Sequence, residues 1–346
     1  MKPLSQLAVM CAASLCVFFS LNSCIKGITP IKNPHPGMDT NANLIAYKNS
    51  PHHIFVGFLV ADGNDPAAGY DPANAPDSVD FLEFFSGRDT TVADWRAAQA
   101  KGTRIVACHF ISDAYFDGSV NDPATKVPGY VNPPGFNMTR ATSSSTYYHW
   151  ARDTYNKEID TLGLDGLDLD VESGTFGGEV SRTSANGDSL VVAIARYYGP
   201  NCTSCTVAAG AKKPAFFYDT DGTGGFESTM YNAHESNYDY CLFQAYTTGS
   251  HAWSGTGVSG LPALASTYGL NKTIYLVNGD SFIYPNGTQD QPGGDSTATA
   301  DLYAYAHWVV DNNGVGVGVY RMSRDYNHTP PFIVSRNAIQ IMNPAQ

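Results

Sequence analysis

Apolar runs recur along the chain, separated by segments with helical spacing. The run from His53 to Val60 is almost continuously apolar, the pattern of a strand buried on both faces. Asp77 to Phe85 holds a second such run, and Thr103 to Ile111 a third. Between them, Thr91 to Lys101 places Trp95 and several alanines on one stripe, and Gly102 supplies a helix stop. Tyr147 to Leu162 is amphipathic at helical spacing and leads into Leu164–Glu172, where aliphatic and acidic residues alternate. A helix is expected at Asp188–Tyr198, a fifth strand at Cys205–Ala211 and a sixth at Tyr238–Tyr246. A short helix at Leu261–Tyr268, a strand at Thr273–Asn278, a helix at Thr299–Asn312, a strand at Val315–Met322 and a closing helix at Ile333–Met342 complete the series. Eight strands alternating with helices predict an α/β fold, a (β/α)8 TIM barrel in a single domain over residues 51–346. The competing doubly wound sheet lacks its phosphate fingerprint, because Ala61-Asp-Gly-Asn-Asp follows the first strand.

The N-terminus has a different pattern. Lys2 precedes an apolar run from Leu7 to Leu21, too short for a comfortable membrane span and of the length of a secretory signal. It ends Leu21-Asn22-Ser23-Cys24, which resembles a bacterial lipobox. That resemblance implies a signal peptide over residues 1–23, lipidation of Cys24 and export as a membrane-anchored lipoprotein. Ile25 after the cysteine favours the outer membrane, on its periplasmic or its outer face. Residues 24–50, punctuated by Pro30, Pro34, Pro36 and Gly37, are expected to be a flexible linker.

Composition narrows the partners. The 346 residues carry a net charge of −12, which argues against a nucleic-acid surface and suits a neutral substrate. Cys202 and Cys205 have the spacing of half a zinc knuckle without a second half, so a local disulfide is expected in an oxidising compartment. Cys108 and Cys241 lie in apolar runs and read as buried thiols. No metal and no cofactor is assigned.

The chemistry concentrates in Leu164–Glu172. As a strand, it sets Leu167, Leu169 and Val171 on one face and Asp168, Asp170 and Glu172 on the other. Neighbouring acids in that row stand about 6.6 Å apart along the strand. Three like charges aimed at one place repel, and their burial costs several kcal/mol unless protons or donors relieve it. An exposed edge strand with a solvated acidic face is the structural alternative. In a barrel, Glu172 comes last and nearest the catalytic face. Its neighbours' charge would keep it protonated, as a general acid beside an electrostatic stabiliser.

Asp165-Gly-Leu-Asp168-Leu-Asp170-Val-Glu172 resembles the D-G-x-D-x-D-x-E signature of glycoside hydrolase family 18. The resemblance implies a TIM barrel and retaining catalysis in which the substrate's own N-acetyl carbonyl attacks the anomeric carbon. On it, Glu172 protonates the leaving oxygen and then activates water, Asp170 orients the acetamide and Asp168 holds Asp170. Asp165 shapes the turn into the strand. Gln244-Ala-Tyr246 ends the sixth strand and resembles the endo-β-N-acetylglucosaminidase branch, with Tyr246 toward the acetamide. Tyr320 stands where chitinases of the family carry Trp, and Ala107-Cys-His109-Phe lacks their Ser-x-Gly-Gly.

Asn278 and Asp280 end the seventh strand, where such residues either bind sugar hydroxyls or turn the chain. Trp253, in a Gly/Ser-rich loop, is a candidate sugar-stacking aromatic, as are Tyr115 and Phe116. His109 reads as a satisfied core histidine rather than a catalytic one. The leading expectation is an endo-β-N-acetylglucosaminidase cutting the di-N-acetylchitobiose core of N-linked glycans, with N-acetylglucosamine-containing glycans or glycoproteins as partners. The alternatives are a chitinase and a non-catalytic glycan-binding protein on the same fold.

Overall fold

The computed structural model describes residues 40–60, 68–85, 92–111, 144–172, 184–208, 211–247, 257–281 and 297–344. Eight parallel strands close into a barrel in sequential order: β1 (Ile54–Val60), β2 (Phe81–Phe85), β3 (Arg104–Phe110), β4 (Gly166–Asp170), β5 (Ala215–Thr220), β6 (Tyr240–Gln244), β7 (Thr273–Asn278) and β8 (Gly316–Tyr320). A helix, α1 (Thr40–Asn49), precedes β1. The others in chain order are α2 (Val92–Gln99), α3 (Ser144–Tyr155), α4 (Ser184–Ala195), α5 (Gly225–His234), α6 (Leu261–Tyr268), α7 (Thr297–Asn312) and α8 (Ile333–Met342). The eight-stranded TIM barrel expected from the apolar runs is therefore the fold.

Strand alternation divides the core in two. Phe55, Leu59, Leu82, Leu167, Leu169 and Val317 point outward into a layer shared with the helices. Val56, Phe58, Phe81, Val106, Phe217, Leu242 and Leu276 fill the barrel interior. The first two inward positions of β8 are glycines because β1 and β7 crowd them. A Cβ at Gly316 would stand 1.9 Å from the Ile54 carbonyl oxygen, and one at Gly318 2.6 Å from Leu276 Cδ2. The barrel closes between β8 and β1 through Ile54 paired with Gly316 and Val56 paired with Gly318.

A side-chain device recurs at the bottom of the barrel. Asp80 accepts the Phe55 backbone N–H at 2.9 Å, Asp165 that of Ile105 at 2.9 Å and Asp239 that of Phe216 at 2.9 Å. Each aspartate directly precedes an even-numbered strand and ties it to the second residue of the odd-numbered strand before it. Asp165 thus shapes the entrance to β4, as expected; Gln99 also donates to it at 2.6 Å.

Two expectations are corrected. The fifth strand is Ala215–Thr220, not Cys205–Ala211. Cys202 and Cys205 are joined in the expected disulfide; residues 206–208 beyond it are irregular and largely exposed, and Lys212-Lys213-Pro214 leads into β5. Residues 40–49, expected within the linker, are helical. Lys48 is buried and its Nζ donates to Thr103 Oγ1 at 2.5 Å, which holds the second half of α1 against the α2–β3 turn. Residues 1–39, with Cys24, lie outside the described residues.

Candidate active site

The alternation in β4 gives the acids a direction. Leu167, Leu169 and Val171 are buried in the outer layer, whereas Asp168 and Asp170 point into the barrel, with Glu172 half-buried just past the strand's C-terminal end. Above Asp170 a cavity of about 290 Å³ opens at the C-terminal face. Seven residues singled out from the sequence line it: Asp170, Glu172, Gln244, Tyr246, Asn278, Asp280 and Tyr320. A wider cleft of about 940 Å³ lies at the opposite end, among Lys48, Arg104 and Lys212 near the strand N-termini. The smaller cavity is where a barrel of this kind places its chemistry.

Gln244 links the two acids at the mouth. Its Nε2 donates to Glu172 Oε1 at 2.7 Å and, with a longer contact, to Asp170 Oδ1 at 3.4 Å. A donor on Oε1 requires that oxygen to be an acceptor, which leaves Oε2 to carry a proton when Glu172 has one. Tyr246 and Tyr320 stand across the cavity with ring centroids 6.0 Å apart and planes at 36°. Phe58 meets Tyr320 edge-on at 6.0 Å, completing an aromatic wall. Asn278 Oδ1 accepts the Asp280 backbone N–H at 2.9 Å, and Asp280 in turn is gripped by Arg321 and Arg324, each at 3.0 Å. These two residues therefore turn the chain and face the cavity at once.

Burial holds the enclosed acids beneath the rim toward their protonated forms. Burial, then the charges of Asp219, Glu172 and Asp168, hold the Asp170 carboxyl well above the usual carboxylate range. Burial also lifts Asp219, with Asp168 and Glu172 adding to the effect and Gln244 opposing it. Asp168 is raised to about 6, chiefly by burial, against the opposing hydrogen bonds of Glu83 and Cys108. The acidic pattern predicts a proton on Glu172; the enclosed Asp170 and Asp219 beneath it are themselves held toward the protonated form.

The sequence reading missed Asp219 and Glu83. Asp219 pairs with Asp170 across the β4–β5 ladder and lines the cavity. It escaped notice because β5 was placed too early. Glu83 sits inside the barrel on β2 with no exposed surface. Its signal was a carboxylate in the middle of Phe81-Leu-Glu-Phe-Phe85, an otherwise apolar strand. His109 is not in the site. It points outward to Glu158 at 2.5 Å and packs edge-on against Trp150, the satisfied core histidine expected. Trp253, Tyr115 and Phe116 lie outside the described residues. Glu83, Cys108 and Asp168 present donor atoms within 4.8 Å of one another, the one such cluster compact enough for a cation among the described residues.

A closed barrel with an acid row on β4 leading to a C-terminal cavity defines a glycosidase of the family 18 type. Residues 74–320 match the family described as the endo-beta-N-acetylglucosaminidase EndoS TIM-barrel domain, and the chain belongs to that family. Endo-beta-N-acetylglucosaminidase F2 of Elizabethkingia meningoseptica is 28% identical over 337 residues, covering 88% of this chain and 85% of that protein. The apo crystal structure of an endo-beta-N-acetylglucosaminidase from Cordyceps militaris superposes with a TM-score of 0.60 at 21% identity, covering 91% of this chain and 99% of its own. A mutant of that fungal enzyme, in complex with fucosyl-N-acetylglucosamine-Asn, superposes with the same TM-score of 0.60 at 20% identity and equal coverage. The resemblance read from the acidic signature is thus borne out at the level of family and fold.

The buried acids set a sign for stability against pH. The folded-state pKa of Asp168 lies above its ordinary value of 3.8, at about 6. Its contribution to stability is therefore fully present below the unfolded value and is lost as pH rises through about 6. Asp168→Asn is expected to be more stable than wild type at pH 7, by about 1–3 kcal/mol, and to lose less stability between pH 4 and pH 7. Urea denaturation across that range checks it; an equal or greater fall in the variant contradicts the assignment.

Proposed function

We propose that the protein is an endo-β-N-acetylglucosaminidase that cuts between the two N-acetylglucosamine residues at the core of N-linked glycans, leaving one on the protein. The observation that carries this reading is Gln244, whose amide joins Asp170 and Glu172 at the mouth of an aromatic-walled cavity. Family membership and the likeness to Endo-beta-N-acetylglucosaminidase F2 support it. So does the fucosyl-N-acetylglucosamine-Asn bound by the fungal neighbour, a sugar of the kind such a cut leaves on asparagine.

In the proposed reaction the acetamide carbonyl of the substrate attacks the anomeric carbon as the glycosidic bond breaks. Glu172 gives its proton to the departing oxygen. The sugar closes to an oxazolinium, whose positive charge develops next to Asp170. Asp170 orients the acetamide, and Tyr246 donates its hydroxyl to the carbonyl oxygen. Glu172, now a carboxylate, takes a proton from water as the water opens the ring. The hydroxyl adds to the face from which the leaving group departed, so configuration is retained. Asp168 acts one step back, on Asp170.

Glu172→Gln is expected to lower turnover by about 10²–10⁴-fold. Mass spectrometry of an N-glycosylated protein checks it: wild type removes the glycan and leaves a single N-acetylglucosamine, and the variant leaves the glycan in place. A wild-type enzyme that spares glycoproteins but shortens chitin oligomers would favour the chitinase reading. Glycan affinity without turnover on either substrate would favour a binding protein.

We further propose that Cys24 carries a lipid and tethers the domain to the outer membrane. The support is the run Leu21-Asn22-Ser23-Cys24 with Ile25 after it. Cys24→Ala should move the protein from the membrane fraction to the soluble fraction; an unchanged distribution contradicts the anchor.

A further inference from the structure

The acid row does not stop at the cavity floor. Asp168, below Asp170, faces Glu83 inside the barrel; Cys108 pairs with Asp168 across the β3–β4 ladder, and the polar atoms of all three lie within 4.8 Å of one another. Glu83 and Asp168 have no exposed surface, and Cys108 is buried. Written as two carboxylates, Glu83 and Asp168 leave all four oxygens without a hydrogen bond from any backbone, amide or hydroxyl donor, and only the Cys108 thiol offers one to Asp168. Two carboxylates cannot both remain ionised in such a place, because each loses its water and repels the other. One proton between them removes both costs.

The surroundings decide which carboxyl holds it. The groups that face Glu83 are Asp168 and Asp170 on β4 and Asp219 on β5, and every one of them opposes its ionisation. Asp168 is faced by two donors, Glu83 from β2 and Cys108 from β3, while His109 on the outer side of β3 adds positive potential. The inward neighbours on β6, β7 and β8 at this depth are Leu242, Leu276 and Gly318, which neither titrate nor donate.

We propose that Glu83 is a positioning residue for the glycosidase reaction: as a carboxylic acid it donates to Asp168, with the Cys108 thiol as second donor, and so keeps Asp168 ionised beneath Asp170. The buried row then carries protons on alternate members: Glu83 protonated, Asp168 charged, Asp170 protonated. Burial and the neighbouring acids raise Asp170, Asp168 among them; the charge on Asp168 orients Asp170, which meets the acetamide. Glu83 touches no substrate and lines no part of the cavity. Its influence on catalysis runs through the ionisation of Asp168. The catalytic part of this inference rests on the function proposed above; the protonation state of Glu83 does not.

Two variants separate this role from simple packing. Glu83→Gln keeps the shape and a donor toward Asp168; Glu83→Leu keeps bulk and loses the donor. A hydrogen bond to a charged group is strong enough that its loss raises the pKa of Asp168 by about 1–2 units. Less Asp168 is then ionised at a given pH, so in Glu83→Leu the acidic limb of the kcat profile should move up by about 1–2 pH units. KM should stay near wild type, because no substrate contact is lost. Glu83→Gln should keep the wild-type acidic limb. Infrared difference spectra of wild type minus Glu83→Gln, taken without substrate, should show a protonated-carboxyl carbonyl band lost from the variant. Loss of a carboxylate band in its place would overturn the proposal whether or not any glycan is cut. Superimposable pH profiles for the two variants, or one equivalent of a divalent metal in the protein as purified, would also overturn it.

Discussion

The structure depends on holding several carboxyl groups inside a closed barrel without their repelling it apart. Glu83, Asp168, Asp170 and Asp219 all point inward and are almost wholly shielded from water. Any one of them ionised in isolation would cost several kcal/mol. Their mutual charge would add to that if all four were ionised. The arrangement is tolerable because protons are shared down the row and because Gln244 supplies an amide donor at its upper end. Protonation raised by burial is therefore part of the architecture, and the same protons are available to the chemistry at the mouth.

The barrel uses aspartate in two ways, and the difference lies in what faces the carboxylate. Asp80, Asp165 and Asp239 sit at strand entrances, where each receives a backbone N–H from the neighbouring strand. That bond ties neighbouring strands of the sheet together. Asp168, Asp170 and Asp219 sit further along the same even or following strands, pointing into the lumen. There the backbone amides are engaged in the parallel ladders, and the carboxyls meet one another. Asp165 and Asp168 are three residues apart with opposite duties, one structural and one electrostatic.

Much of this was legible in the sequence because strand burial writes itself as apolar runs. Seven of the eight strands lie where those runs predict them, and the acid row was readable from its period of two. The fifth strand was not. Cys205–Ala211 offered β-branched and small residues after a disulfide loop, whereas the true strand, Ala215–Thr220, follows two lysines and a proline. Asp219 went unseen with it. Glu83 was visible as a residue but not as a member of the row, since only the closed barrel brings its carboxyl on β2 within 4.8 Å of Cys108 on β3 and Asp168 on β4. Helix α1 carries Thr, Asn and Lys with little apolar patterning, and its second half is held by the buried Lys48 to Thr103 bond rather than by an apolar stripe. The bridge from Gln244 to Glu172 spans 72 residues of sequence and is a property of the fold alone.

The central claim is that the acid row organises charge and protons while the substrate supplies the nucleophile. Its most direct test is the configuration of the newly exposed reducing end, read by proton NMR in the first moments of hydrolysis before the anomers equilibrate. The account predicts that the β-anomer appears first, because two displacements at one carbon restore the starting configuration. An initial burst of the α-anomer would mean a single displacement by water, and would contradict it.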